Sequence, residues 1–196
     1  MKKNILSAVF AIVIATAATA AAGVNPIDGE KKAVKTTEST VTWKGYKFAG
    51  SHEGKIALQS GELLFEGDKL TGGEFVVDMA SITVGDLAAG QGKEKLEGHL
   101  KADDFFGTEN YATSKLVFTS VKATGKNSYD VTGDLTIKGI TKAVTFDISV
   151  YGSKATATLK VDRTNYDIHY GSTNFTDTLK DKAIYDEFDL VVDLQF

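Results

Sequence analysis

Hydrophobic and polar residues alternate along most of this chain. A β-strand turns successive side chains to opposite faces, so alternation predicts strands with one apolar and one polar side. The clearest case is residues 186–196, in which only Val191 departs from the pattern. Its apolar face carries Phe188, Leu190, Val192, Leu194 and Phe196. We therefore expect a final strand whose apolar face is buried, either inside a barrel or against lipid.

The same pattern predicts about eight or nine strands. We place them over residues 40–50, 53–59, 62–66, 72–79, from 114 onward, 128–137, 144–151, 155–161 and 186–196. Turns are expected at Gly61, Gly67-Asp68, Lys138-Gly139 and Gly152-Ser153. A change of phase near Gly45 predicts a bulge or bend there.

Two stretches, residues 81–111 and 162–182, lack a period of two. The first holds a predicted short helix over 93–100 and a second candidate helix over 102–106. Long irregular insertions in a β-domain are more often functional or capping than idle.

Three successive hairpins in the second half predict an antiparallel meander, and closing such a sheet into a barrel removes its exposed edges. The predicted fold class is all-β, a single antiparallel barrel of about eight strands with short helical insertions. Its apolar face could point inward in a soluble barrel or outward in an outer-membrane barrel. Several strands are shorter than the roughly 9–11 residues that membrane barrels need, and the chain has one tryptophan, which favours the inward arrangement.

The N-terminal segment predicts export. Lys2 and Lys3 precede an apolar run and then small residues through Ala22, which is typical of a cleaved secretory signal peptide rather than a membrane anchor. We assign residues 1–22 to the signal, 23–35 to a disordered lead-in and 36–196 to the barrel. The predicted location is the periplasm.

Composition narrows the function classes. The chain has no cysteine, and removing Lys2 and Lys3 takes the formal charge from −4 to −6. An acidic chain without basic clusters argues against nucleic acid as a partner. The three histidines, His52, His99 and His169, lack metal-ligand spacing, so no metal is expected. Nucleophile and phosphate-binding motifs are also missing, and a hydrolase using His99 is the weakest alternative.

Five stretches follow one another along the chain: STVTWKG (39–45), GGEFVVDMASI (72–82), HLKADDFF (99–106), GDLTIKGITK (133–142) and DRTNY (162–166). Together and in this order they resemble the YceI-like family of periplasmic polyisoprenoid-binding proteins. The resemblance implies a lipocalin-like barrel with a long apolar cavity that binds an isoprenoid lipid, either a polyprenyl chain or an isoprenoid quinone. It implies no other cofactor and no catalysis. The family often has glycine at the position of Asp167.

The inward face is the candidate lipid site. Periodicity alone leaves a solid core and a lined cavity equally open, and the resemblance favours the cavity. The candidate lining residues are Trp43, Phe75, Val77, Met79, Leu116, Phe118, Val131, Leu135, Ile137, Phe146, Ile148, Leu159, Val161, Phe188, Leu190 and Val192.

If both irregular stretches border one barrel mouth, their side chains could contact the head group of the lipid. The candidates are His99, Phe105, Phe106, Arg163, Tyr166 and His169. Arg163 could bind a phosphate through its planar fork or pair with a carboxylate such as Asp162 or Asp104. The pair Phe105-Phe106 could plug the barrel or gate it, and a plug is the simpler interpretation.

Overall fold

The computed structural model describes residues 29–175 and 182–196, so the predicted signal peptide lies outside the described residues. The strands are β1 (Glu30–Ala33), β2 (Thr40–Lys47), β3 (Gly50–Glu66), β4 (Lys69–Val84), β5 (Thr113–Ala123), β6 (Ser128–Ile137), β7 (Ile140–Tyr151), β8 (Lys154–Asp162) and β9 (Ile184–Gln195). One helix, α1 (Lys93–Lys101), and a 3₁₀-helix over Arg163–Tyr166 complete the described elements.

The strands form one antiparallel sheet that closes on itself. Its order is β1-β3-β2-β9-β8-β7-β6-β5-β4, and β4 also pairs with β3. Strands β2–β9 therefore make a closed barrel of eight strands, which confirms the predicted all-β fold. The ninth strand, β1, lies outside this ring and pairs with the second half of β3.

Three expectations about the first half of the chain are wrong. Residues 30–33 of the predicted disordered lead-in form β1. Gly61 makes no turn, because β3 runs through it without interruption. Residues 102–106 are turns and not a second helix.

The register of the long strand β3 explains why the hydrophobic pattern predicted a turn at Gly61. Its ladder with β4 is shifted between Lys55 and Ala57, between Leu58 and Ser60, and between Leu64 and Phe65. Each shift changes which side chains face inward, so the period of two breaks although the strand continues. Gly61 itself is required by packing: a Cβ there would lie 2.8 Å from the Phe75 ring.

The two ends of the barrel differ. At the loop end lie the β2–β3 turn, α1 with the rest of residues 85–112, the β6–β7 turn and the described part of residues 163–183. At the turn end lie three short connections, β3–β4, β5–β6 and β7–β8, together with the C-terminus. Both irregular stretches therefore meet at the same end of the barrel.

Candidate functional site

The barrel interior is hollow toward the loop end. A cavity of about 170 Å³ runs inside it, and its wall is apolar almost throughout. Every predicted lining residue except Val131 and Val161 lies on this wall. Those two are fully buried in the same hydrophobic cluster but do not border the cavity.

The floor of the cavity is an aromatic layer. The Phe118 ring lies 5.6 Å from the rings of both Phe75 and Phe146, measured between centroids. Glycines make room for these rings: a Cβ on Gly73 would approach Phe118 to 2.9 Å. Side chains such as Leu63, Leu70, Tyr129 and Val131 fill the interior below this layer, where they are buried and do not border the cavity.

The roof is formed by the two irregular stretches. Phe105 and Phe106 are buried, their rings lie edge to face with 5.1 Å between centroids, and both border the cavity. The Phe106 ring also lies 6.5 Å from that of Phe188. This position fits the interpretation of the pair as a plug.

Arg163 also borders the cavity, but its donors are already used. Its side chain is only 2% exposed, and it donates to the carbonyl oxygens of Ile168 (2.8 Å), Ile184 (3.1 Å) and Tyr185 (3.2 Å). The carboxylate partner is Asp186, at 3.4 Å, and not Asp162 or Asp104. Burial lowers the pKa of Arg163, and the charge of Asp186 opposes that shift. Arg163 therefore anchors the start of β9 and offers no free fork to a phosphate.

The remaining mouth candidates do not border the cavity. The Nε2 atom of His99 lies 3.3 Å from the Asp104 carboxylate, and its ring packs edge to face on Tyr170 at 4.3 Å. The His169 ring stacks on Phe175 at 4.0 Å. These histidines connect parts of the loop end to each other, and neither is positioned to hold a head group in the cavity.

Tyr166 is buried and lies away from the cavity wall. Among the described residues its hydroxyl has no hydrogen-bond partner. Burial, with a smaller contribution from the charge of Asp162, raises the pKa of Tyr166 to about 12. The phenol is therefore neutral over the physiological pH range.

Two polar residues border the cavity without adding polarity to it. The hydroxyl of Ser114 donates to the carbonyl oxygen of Thr136 at 2.7 Å. The ammonium group of Lys115 pairs with Glu74 at 2.8 Å, and both of these side chains are about half exposed. Because the polar groups of Ser114, Lys115 and Arg163 are all paired with other protein groups, the cavity wall is suited to hydrocarbon.

The sequence interpretation missed several wall residues. They are Val41, Gly45, Ile56, Leu58, Ile82, Leu100, Ser114, Lys115, Ala157, Ile184, Tyr185 and Leu194. Alternation could have found Val41, Ala157 and Leu194, which share a phase with the predicted residues of their strands. Leu100 comes from α1, where strand periodicity gives no signal.

Within the described residues there is no group of three or more side chains that could hold a metal ion. No helix in the described part of the chain is long and apolar enough to cross a membrane.

Comparison with known proteins identifies the family. Residues 33–196 match the model of the YceI-like domain. A UPF0312 protein of Pseudomonas putida (strain W619) is 30% identical over 156 residues, which cover 78% of this chain and 74% of the relative. Protein YceI of Escherichia coli O157:H7 is 33% identical over 75 residues, covering 38% of this chain and 39% of that protein.

Solved structures show the same fold. The crystal structure of Burkholderia cenocepacia BcnA aligns with a TM-score of 0.65 at 24% identity, covering 82% of this chain and 98% of that one. The Campylobacter jejuni YceI protein aligns with a TM-score of 0.53 at 17% identity, covering 71% and 81%. With the family match spanning the whole barrel, this chain belongs to the YceI-like family.

Proposed function

We propose that this protein is an exported carrier that binds an isoprenoid lipid in the barrel cavity. The observation that carries the proposal is the apolar cavity between the aromatic floor and the Phe105-Phe106 roof. Each buried methylene contributes roughly 0.8 kcal/mol, so a long hydrocarbon chain binds without a polar anchor. The proposed work is sequestration or transfer, without catalysis.

The small volume of the cavity limits how much of a ligand lies inside the barrel. Its volume of about 170 Å³ is below the roughly 300–1,000 Å³ of pockets for drug-sized molecules. A prenyl chain is narrow and branched by methyl groups, and it suits a tube lined by leucine, valine and phenylalanine side chains. We propose a polyprenyl chain or the tail of an isoprenoid quinone as the occupant.

The outside of the barrel supports a carrier over an outer-membrane protein. Outward positions on neighbouring strands carry exposed Asp130, Asp134, Asp147 and Lys160. A lipid-facing wall needs an apolar band about 25 Å tall, and charged groups within it are costly. The apolar face of the final strand instead points inward, where Phe188, Leu190 and Val192 border the cavity.

Lipid extraction tests the proposal. The protein is purified from the exported fraction, examined by native mass spectrometry, and its organic extract is analysed for prenyl lipids. We expect a bound isoprenoid, or uptake when polyprenols or isoprenoid quinones are offered to the empty protein. A folded protein that carries none and takes up none contradicts the proposal.

A cavity-filling variant tests whether the lipid binds inside the barrel. Ala157 borders the cavity, and Ala157→Phe fills it without introducing a buried charge. The matched control is Thr158→Phe, because Thr158 follows on the same strand and is exposed. We expect loading to be lost in the first variant and kept in the second. Equal loading of both folded variants would contradict binding at this site.

A further inference from the structure

A second cavity lies directly outside the first. A groove of about 530 Å³ opens on the barrel surface near the loop end, with Tyr46, Phe48, Lys160 and Glu187 among its lining residues. Ile184 and Tyr185 line both this groove and the inner cavity. The two spaces are therefore separated by a single segment at the start of β9.

The sheet is interrupted at that segment. On β2 and β9, Gly45 pairs with Phe188, but the next pairing joins Lys47 to Ile184. Tyr46 thus faces three residues of β9, 185–187, outside the regular ladder. Gly45 borders the cavity here and contributes no side chain to the wall. At this point the barrel wall therefore lacks both regular strand pairing and, at Gly45, a side chain.

The charges of the groove disfavour an anion. The ammonium group of Lys160 contacts Asp189 at 3.0 Å and Glu187 at 3.5 Å. Asp186 accepts from Arg163 and, at 2.7 Å, from the side-chain amide of Asn174. Carboxylates outnumber the cationic group that lines the groove, and that cation is already paired. A phosphate here would meet repulsion without a free donor fork.

Aromatic rings remain available in the groove. Phe48 is 63% exposed and Tyr185 is 54% exposed, although large apolar side chains are usually covered. Aromatic faces of this kind pack well on a flat, uncharged ring.

We propose that the groove binds the uncharged, ring-shaped head group of the same lipid whose chain fills the cavity. The chain passes between β2 and β9 at the bulge beside Tyr46. This inference rests on the proposed carrier function and adds to it the position and the charge of the head group.

Three ligands with the same geranylgeranyl chain test the charge of the head group. They are the prenylated naphthoquinone, the prenyl phosphate and the plain hydrocarbon, each titrated into the full-length mature protein and followed by native mass spectrometry. We expect the quinone to bind on the order of tenfold more tightly than the phosphate, because only the phosphate meets the carboxylates of the groove. Equal or tighter binding of the phosphate overturns the proposal.

Substitutions test the position of the head group. Tyr185→Ala and Phe48→Ala should each weaken quinone binding several-fold and leave hydrocarbon binding unchanged, because the hydrocarbon has no head group to lose contacts. The control is Tyr151→Ala, because Tyr151 is 59% exposed but lies at the turn end. If the groove variants behave like the control, the groove is not the head-group site, although the carrier function stands. If none of the three ligands binds the unaltered protein, the carrier function itself fails.

Discussion

The interior of the barrel is packed solid in one half and contains a cavity in the other. Toward the turn end, Leu63, Phe65, Leu70 and Val131 are buried and fill the interior. Toward the loop end, residues of the same types border an open cavity. The same alternation of apolar and polar positions therefore produces a solid core in one half and a hollow site in the other. The difference arises at the layer of Phe75, Phe118 and Phe146, which divides the interior.

The loop end compensates for its missing packing with polar contacts. Arg163 donates to three backbone carbonyl oxygens of the second irregular stretch and the start of β9. Lys138, in the β6–β7 turn, donates to the carbonyl oxygens of Asp103 at 3.0 Å and Asp167 at 3.4 Å, which joins both irregular stretches. The solid half is thus packed by apolar side chains, while the hollow half adds these hydrogen bonds around its cavity.

Truncating one leucine in each half gives the largest expected contrast. Leu63 is fully buried in the solid half, and Leu159 borders the cavity. Leu63→Ala should cost about 3–5 kcal/mol because it opens a new void, whereas Leu159→Ala should cost about 2 kcal/mol because it enlarges an existing one. Chemical denaturation of both variants without ligand measures the difference. Equal losses would mean that the two halves are equally packed.

A substitution that adds volume at the aromatic floor should lower the stability of the protein. Gly73→Ala would bring a Cβ to 2.9 Å from the Phe118 ring, and overpacking of this kind costs about 1–3 kcal/mol. Gly98→Ala is the control, since Gly98 lies exposed on α1 with open space around it. That substitution should stabilise the protein by about 0.5–1 kcal/mol. Thermal unfolding of both variants measures the two effects. If Gly73→Ala does not lower the melting temperature, the floor has room for an added methyl group.

Acid should weaken one contact on the outside of the hollow half. The hydroxyl of Tyr46 donates to Asp189 at 2.6 Å, and this bond, with Lys160 nearby, lowers the pKa of Asp189. A lowered folded-state pKa gives stability that is present above the unfolded pKa near 4 and lost as the pH falls through the folded value. Tyr46→Phe should therefore destabilise the protein slightly at pH 7, and this cost should shrink as the pH falls through the lowered pKa of Asp189. A cost that is independent of pH would contradict this assignment.

The smallest expected effect has the opposite sign. On the outer surface Asp130 lies opposite Asp147 in the sheet, and a hydrogen bond with Asp130, burial and the like charge raise the pKa of Asp147. A raised carboxylate pKa lowers stability as the pH rises through it, so Asp147→Asn should increase the melting temperature slightly at pH 7. At an acidic pH below the raised pKa of Asp147 the substitution should have little effect, because that carboxyl group is then protonated. Melting curves at the two pH values provide the check.

The second half of the chain was predictable from its pattern. Strands β6 to β9 alternate regularly, so inward residues such as Leu135, Phe146 and Leu159 could be chosen correctly. Turns at Lys138-Gly139 and Gly152-Ser153 were also correct, since both glycines have the positive φ of 74° and 61° that tight turns require. The predicted bulge near Gly45 is present as well.

The first half and the site were less predictable because their structure depends on contacts distant in sequence. Register shifts between β3 and β4 interrupt the alternation of apolar and polar residues, so the sequence does not reveal these two strands at their full length. Which inward residues border a cavity depends on how the rings meet across the barrel, and Val131 and Val161 were wrongly placed on its wall for that reason. The partner of Arg163, Asp186, lies 23 residues away in sequence and could not be chosen by proximity.

Strand β1 has a consequence for how the chain can be shortened. Residues Glu30–Ala33 cover the part of the β3 edge that β2 leaves free, and Val34 continues this cover by donating to the Gly61 carbonyl at 2.8 Å. An uncovered strand edge is a template for pairing with another chain. Cleavage after Ala22, where the predicted signal peptide ends, would preserve this cover. A chain shortened beyond Val34 would leave this part of the β3 edge unpaired. Its free backbone groups could then pair with another copy of the barrel.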